Sequence, residues 1–232
     1  MKLAIMQPYL FPYLGYYQMV AEADIFICYD TVDYKQRGWI NRNKILISNK
    51  PAYFTVPVSK KPLGTPIYEI QIIGYNKWLV KFLKTIELSY KKAPHYNEVY
   101  QLLIEILSKK QYKNISNLAV NSIKGVSQYL DLSTNFVMAS DIKAIPQLKT
   151  KEEKLNSFID HFNASSIILP PGSKDLYANW DPIKGSKMTM AVPEIEYKQY
   201  KYKSFNNLSI IDVLMHNSVD EVIDMVNAIK FL

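Results

Sequence analysis

The chain has 232 residues, 48% apolar and 21% charged, which is enough to bury a substantial core in one large domain or two small ones. No apolar run approaches the ~20 residues that span a bilayer, the start MKLAIMQP does not read as a secretory signal, and a single cysteine, Cys28, excludes an internal disulfide and a cysteine metal cluster. The cytoplasm is therefore the expected compartment, and the net charge of +7, carried by dispersed lysines, suits nucleic acid, an anionic membrane surface or a phosphorylated small molecule equally.

Residues 2–7 (KLAIMQ) read as a short buried strand, and Pro8 and Pro12 impose an extended loop on QPYLFPY. An amphipathic helix is predicted from about Leu14 to Ala23, and a second apolar strand from Ile25 to Tyr29. Strand, loop, helix, strand is the unit of a parallel α/β sheet, whose ligands sit outside the carboxyl ends of the strands. Those ends deliver Gln7 and Asp30. Residues 44–48 and 53–58 form a predicted hairpin, 60–66 a Pro- and Gly-containing loop, and 67–73 a further strand. From Asn76 the period becomes 3.6: Trp78, Phe82, Ile86 and Tyr90 share a face, and helices follow at 96–107 and 117–130. A strand at 136–139 precedes a helix opened by the capping pair Thr150 and Glu153 and running to Phe162. Ser165 to Leu169 is a strand with Pro170 to Asp175 as its carboxyl-end loop, 187–200 holds up to two more strands, and Ser218 with Glu221 caps a terminal helix. The fold class expected is α/β, Rossmann-like, with a mainly parallel sheet, flanking helices and a helical insertion around residues 76–132 within a single domain, 1–232.

The segment from Met6 to Lys44 concentrates the unusual residues. Its arginines, Arg37 and Arg42, are the only two in the chain, and they stand beside Lys35, Trp39, Asn41 and Asn43. A guanidinium fork grips a carboxylate or phosphate through two parallel bonds, which an ammonium cannot do. The alternative is a loop whose arginines pair with Asp30 and Asp33. Tyr9, Phe11 and Tyr13 belong to five aromatics between Tyr9 and Tyr17, suited to packing on a sugar or base. Asp30 and His95 are the candidate acid/base groups, Asp30 held ionised at a low pKa by the two arginines. Gly172, Ser173 and Lys174 are candidates for holding a phosphate. No P-loop, GxGxxG or GxSxG pattern occurs, and His95, His161 and His216 have no ligand spacing, so no metal or cofactor is expected. Cys28, inside an apolar strand, reads as an inert thiol.

The stretches MQPYLFPYLGYYQM and YD followed by RGWINRN resemble the WbqC-like protein family, with shorter matches at Trp78 to Lys81, YKKAP (90–94), Gly172 to Tyr177, IEYKQ (195–199) and LSIIDVLM (208–215). The sequence departs from that family's pattern at Thr31, where a second acid is frequent, near Phe82, where a histidine is frequent, and at Ser173, where a second glycine is frequent. The resemblance implies sugar-nucleotide chemistry in O-antigen or other surface-polysaccharide gene clusters. It is also similar at fold level to nucleotidylyl-transferase-like proteins, although their His-x-Gly-His signature is absent. The resulting expectation is an amide-forming transferase acting on the amino sugar of a nucleotide sugar. Its partners would be that nucleotide sugar and a thioester or carrier-bound acyl donor, with no nucleic acid and no integral membrane segment. The alternative is a non-catalytic factor that holds a glycan or partner protein during polysaccharide assembly.

Overall fold

The computed structural model describes residues 1–109, 111–143, 150–173, 179–180, 182, 186–189, 197–199 and 205–231. Its centre is a five-stranded parallel sheet in the order β5-β2-β1-β6-β7. The strands are β1 (Lys2–Met6), β2 (Ile25–Cys28), β5 (Asn135–Met138), β6 (Ser166–Leu169) and β7 (Ser186–Thr189). Register runs Leu3 beside Ile25 on one side of β1 and Leu3 beside Ile167 on the other. Short runs of Ile, Leu, Val and Phe suit such a sheet because both faces are covered.

Alternation along the strands divides the core. Leu3, Ile5, Ile27, Ile167 and Leu169 face α5 (Lys151–Phe162), where Leu155, Phe158 and Ile159 cover them. Ala4, Phe26, Cys28 and Ile168 face the larger cluster formed with α1 (Leu14–Glu22) and the rest of the chain. That cluster takes in the antiparallel hairpin β3 (Arg42–Ile47) and β4 (Lys50–Thr55), and three amphipathic helices: α2 (Tyr75–Tyr90), α3 (Tyr96–Ser108) and α4 (Ile115–Tyr129). It also takes in α6 (Ile210–His216) and α7 (Val219–Asn227). Trp78, Phe82, Ile86 and Tyr90 are all buried on α2, as the 3.6 period requires. Both predicted capping boxes form, Thr150 with Glu153 and Ser218 with Glu221. Among the described residues no helix is long and apolar enough to cross a membrane.

One expectation needs correction. Residues 67–73 are not a strand: Ile67–Glu69 forms a 3-10 turn, because Ile67 and Ile70, three apart, are both buried on one side, and the remainder makes only isolated bridges to Val58 and Asn114. Of the strands expected within 187–200, β7 is present as a parallel edge strand, while residues 190–196 and 200 lie outside the described residues.

Candidate functional site

The carboxyl ends of β1, β2 and β6 open into one cavity of about 1190 Å³, above the ~300–1,000 Å³ typical of small-molecule sites. Gln7 follows β1, Tyr29, Thr31 and Asp33 follow β2, and Pro170, Gly172 and Ser173 follow β6. The expected convergence of these three loops is therefore present, as the geometry of parallel sheets demands.

The Pro-rich loop after β1 is fixed by side chains from several elements. Asn43 Nδ2 donates to the carbonyls of Leu10 (3.0 Å) and Phe11 (2.8 Å), Ser209 Oγ donates to Phe11 O (2.7 Å), and Phe11 N donates to Ser122 Oγ (2.9 Å). These bonds hold Phe11 at φ 42°, a left-handed conformation that costs an aromatic residue about 1–3 kcal/mol and needs such bracing. The twist turns Tyr9 and Tyr13 to the cavity and Phe11 away from it. Phe11 is fully buried and stacked on Phe82, 6.5 Å between ring centres, so it is a core residue and not a ligand contact. Burial pushes the Tyr9 and Tyr13 hydroxyls above their ordinary value, which keeps them protonated as donors.

The second loop supplies Lys35 and Trp39, joined to the first loop by Leu10 N donating to Trp39 O at 3.1 Å. Trp39 is 36% exposed, a large ring left open on the cavity wall. The arginines do not form the expected fork. Arg42 is used internally: Nε donates to Gly38 O at 3.2 Å, Nη2 donates to Arg37 O, and the guanidinium lies 4.2 Å from the centre of the Tyr53 ring. Arg37 has φ 60°, is exposed and is not among the residues that line the cavity. Neither arginine pairs with Asp30 or Asp33 among the described residues. The tight turn explains both departures, since its free carbonyls need donors and Arg42 provides them. Asn41, also assigned to the site, is buried and donates to Val56 O at 2.9 Å. Asn43 does line the cavity, but its amide is committed to the Pro-rich loop.

Asp30 is a correction in location and in the direction of its pKa shift. It is fully buried behind β2 and accepts from Ser140 N (2.9 Å), Ser140 Oγ (2.9 Å) and Ser116 Oγ (3.0 Å). It ties β2 to the end of β5 and the start of α4 and does not line the cavity. Burial raises its pKa, the serine hydrogen bonds oppose the rise, and no arginine contributes, so the expected lowering is reversed. His95 sits at the start of α3, 3.7 Å from Glu98, and is likewise outside the cavity wall. Its nitrogen-rich ring is a helix-end feature and not a base facing the site. Ser173 reaches the cavity but donates to Pro170 O at 2.6 Å. Lys174 lies outside the described residues.

Sequence reasoning missed Lys151 and Lys154, which enter the cavity from the first turns of α5. A helix that follows β5 in a parallel sheet starts at the same carboxyl edge, so the capping box at Thr150 already carried that signal. It missed Tyr29 and Thr31 as well; the Thr31 hydroxyl is buried without a partner among the described residues. Three lysines against one carboxylate, Asp33, give the described wall a positive balance at the positive end of the α5 dipole.

The family model of the WbqC-like proteins matches residues 7–224, which take in the three carboxyl-edge loops, α5 and every strand of the sheet except β1. The chain belongs to the WbqC-like protein family. A relative within the curated proteins, the uncharacterized protein Rv1507c of Mycobacterium tuberculosis, is 27% identical over 221 residues, covering 93% of each chain. No solved structure matches this sequence. Family membership thus fixes the kinship of the whole cavity-bearing fold, and the chemistry has to be read from the cavity.

Proposed function

We propose that this chain is a transferase of surface-polysaccharide biosynthesis that forms an amide between an acyl or aminoacyl group and the amine of a nucleotide-activated amino sugar. One observation carries the reading: the carboxyl-edge cavity combines aromatic rings with lysines at a helix start, in a volume with more than enough room for a nucleotide sugar. Trp39, Tyr9 and Tyr13 supply flat faces for base and sugar. Lys151 and Lys154, with the amino end of α5, supply the charge that a diphosphate seeks. Lys35 and Asp33 stand on the second loop. The donor is a thioester or carrier-bound acyl group. The amine attacks the acyl carbon, the C–N bond forms as the C–S bond breaks, and the proton lost by nitrogen ends on the departing thiolate. Such a reaction draws mainly on positioning, worth up to ~7–11 kcal/mol for well-oriented reactants.

The second reading, a non-catalytic glycan- or partner-binding factor, is favoured by a different observation. Among the described lining residues Asp33 is the one carboxylate and no histidine is present. Mass spectrometry of a UDP-linked amino sugar incubated with the full chain and a panel of acyl thioesters separates the two. A product heavier by the acyl group supports the transferase. Absence of product with every donor, together with glycan binding abolished by Trp39→Ala, supports the binding factor.

A further inference from the structure

One titratable cluster plays no part in that scheme. Asp212, in the first turn of α6, is fully buried, and no lysine or arginine pairs with it among the described residues. Tyr90 donates its hydroxyl to Oδ1 at 2.7 Å, and Tyr197 donates to Oδ2 at 3.0 Å. One donor on each oxygen is the pattern of a carboxylate. His216 Nδ1 lies 3.9 Å from Oδ1 but only 2.8 Å from the Asp212 carbonyl, its nearer partner.

The two phenols differ in their surroundings. Tyr90 accepts from Leu46 N at 2.9 Å, so its hydroxyl is used on both sides inside the core, and it does not touch the cavity. Tyr197 forms part of the cavity wall, as does Val213, the residue after Asp212. Its segment is pinned in place. Gln199 exchanges hydrogen bonds with Phe205 at 2.8 and 2.7 Å, Asn217 Nδ2 donates to Lys198 O at 3.3 Å, and Lys198 pairs with Glu221.

A phenol has one proton, and Tyr197 donates it in the hydrogen bond to Asp212. The Gln199 amide engages one lone pair of Tyr197 Oη, so what this hydroxyl can still offer a ligand is its remaining lone pair, as an acceptor and not a donor. Burial and the Asp212 charge push its pKa upwards, which keeps the proton in place.

We propose that Tyr197 is a ligand-touching residue of the cavity, a hydrogen-bond acceptor whose polarity Asp212 sets, and that it receives the N–H of the sugar's amine. The inference rests on the nucleotide amino-sugar reading of the cavity. Asp212 is a positioning residue that acts through Tyr197.

Calorimetric titration of the full chain with UDP-glucosamine and, separately, with UDP tests it. Tyr197→Phe removes one hydroxyl and keeps the ring; it is expected to weaken UDP-glucosamine roughly 3- to 10-fold, the range for one neutral hydrogen bond, and to leave UDP unchanged. Asp212→Asn turns an amide N–H towards the phenol, frees the phenol proton to point at the ligand, and is expected to produce the same selective loss. Tyr90→Phe perturbs the same carboxylate from the core side and is expected to lower the melting temperature with both affinities unchanged. A merely structural cluster would lower stability in all three variants and alter neither affinity. Wild-type affinity for UDP-glucosamine in Tyr197→Phe, or an equal loss for UDP, overturns the subsite alone. A wild-type chain that binds neither probe overturns the nucleotide-sugar reading and the subsite together.

Discussion

Asp30→Ala removes a carboxylate that accepts three hydrogen bonds, from Ser140 N, Ser140 Oγ and Ser116 Oγ, at 2.9–3.0 Å. The serine hydroxyls can rotate to new partners, but the Ser140 N–H is fixed by the backbone and loses its acceptor. Leaving a buried donor without its acceptor costs about 1–3 kcal/mol. At this chain length each kcal/mol lowers the melting temperature by about 2–4 °C, so a fall of about 2–12 °C is expected. Asp30→Asn keeps the shape and one acceptor, and its effect should be carried by pH. Burial raises the Asp30 pKa above its ordinary 3.8, so the folded chain holds that proton more tightly than the unfolded chain. From 3.8 up to the folded value, the Asp30 contribution to stability falls as pH rises, and above the folded value it levels off. The melting temperature of wild type relative to Asp30→Asn should therefore be highest at the acid end of that window and decline towards neutrality. Thermal melts of the three proteins across mildly acid to neutral pH provide the measurement. An Asp30→Ala variant that melts with wild type while losing ligand binding would refute the staple and return Asp30 to the site.

Other perturbations address the loops and the helical layer. Arg42→Lys cannot reach both Gly38 O and Arg37 O and should cost about 1 kcal/mol, whereas Arg37→Lys should leave the melting temperature unchanged; thermal melts compare them. Lys151→Ala combined with Lys154→Ala should weaken UDP by about 1–2 kcal/mol in low-salt calorimetry, with the loss shrinking as salt rises. Gly125→Ala would gain up to ~1 kcal/mol of helix propensity, but its methyl group collides with the Ile106 side chain where α3 meets α4. Overpacking of ~1–3 kcal/mol should prevail and the denaturation midpoint should fall. Cys28 is fully buried, and burial pushes its thiol up to about 12, so a maleimide should label it only after denaturation.

The sheet was legible because its signals are local and periodic. IFIC and SIIL are short apolar runs between turn residues, and the α2 face repeats at Trp78, Phe82, Ile86 and Tyr90. The carboxyl-edge rule then located the cavity through Gln7 and the loops that follow Tyr29 and Leu169. The roles of individual polar residues were less legible, because composition reports which donors exist and not which acceptors they face. Arg42 was rare enough to suggest ligand binding, yet its partners are carbonyls of its own loop. Asp30 stood at the right strand end but pointed at Ser116, 86 residues away, and Ser140, 110 away. Phe11 was separated from Tyr9 and Tyr13 by one left-handed φ that no aromatic residue announces. The link between Tyr197 and Asp212 joins two segments that carry no shared periodicity.

The sheet order has a consequence for synthesis. β1 is the middle strand, and one neighbour, β2, follows within about 20 residues, whereas the other, β6, is encoded roughly 160 residues later. At ~5–20 residues per second, the second edge of β1 waits about 10–30 s on the ribosome before its partner exists. During that interval Lys2, Leu3 and Ala4 present unpaired backbone, and Leu3 and Ala4 their apolar side chains, to the surroundings of the nascent chain. Slowed elongation between α1 and β6 lengthens that exposure, so synonymous changes there should shift yield towards aggregates without altering a single residue of the finished chain.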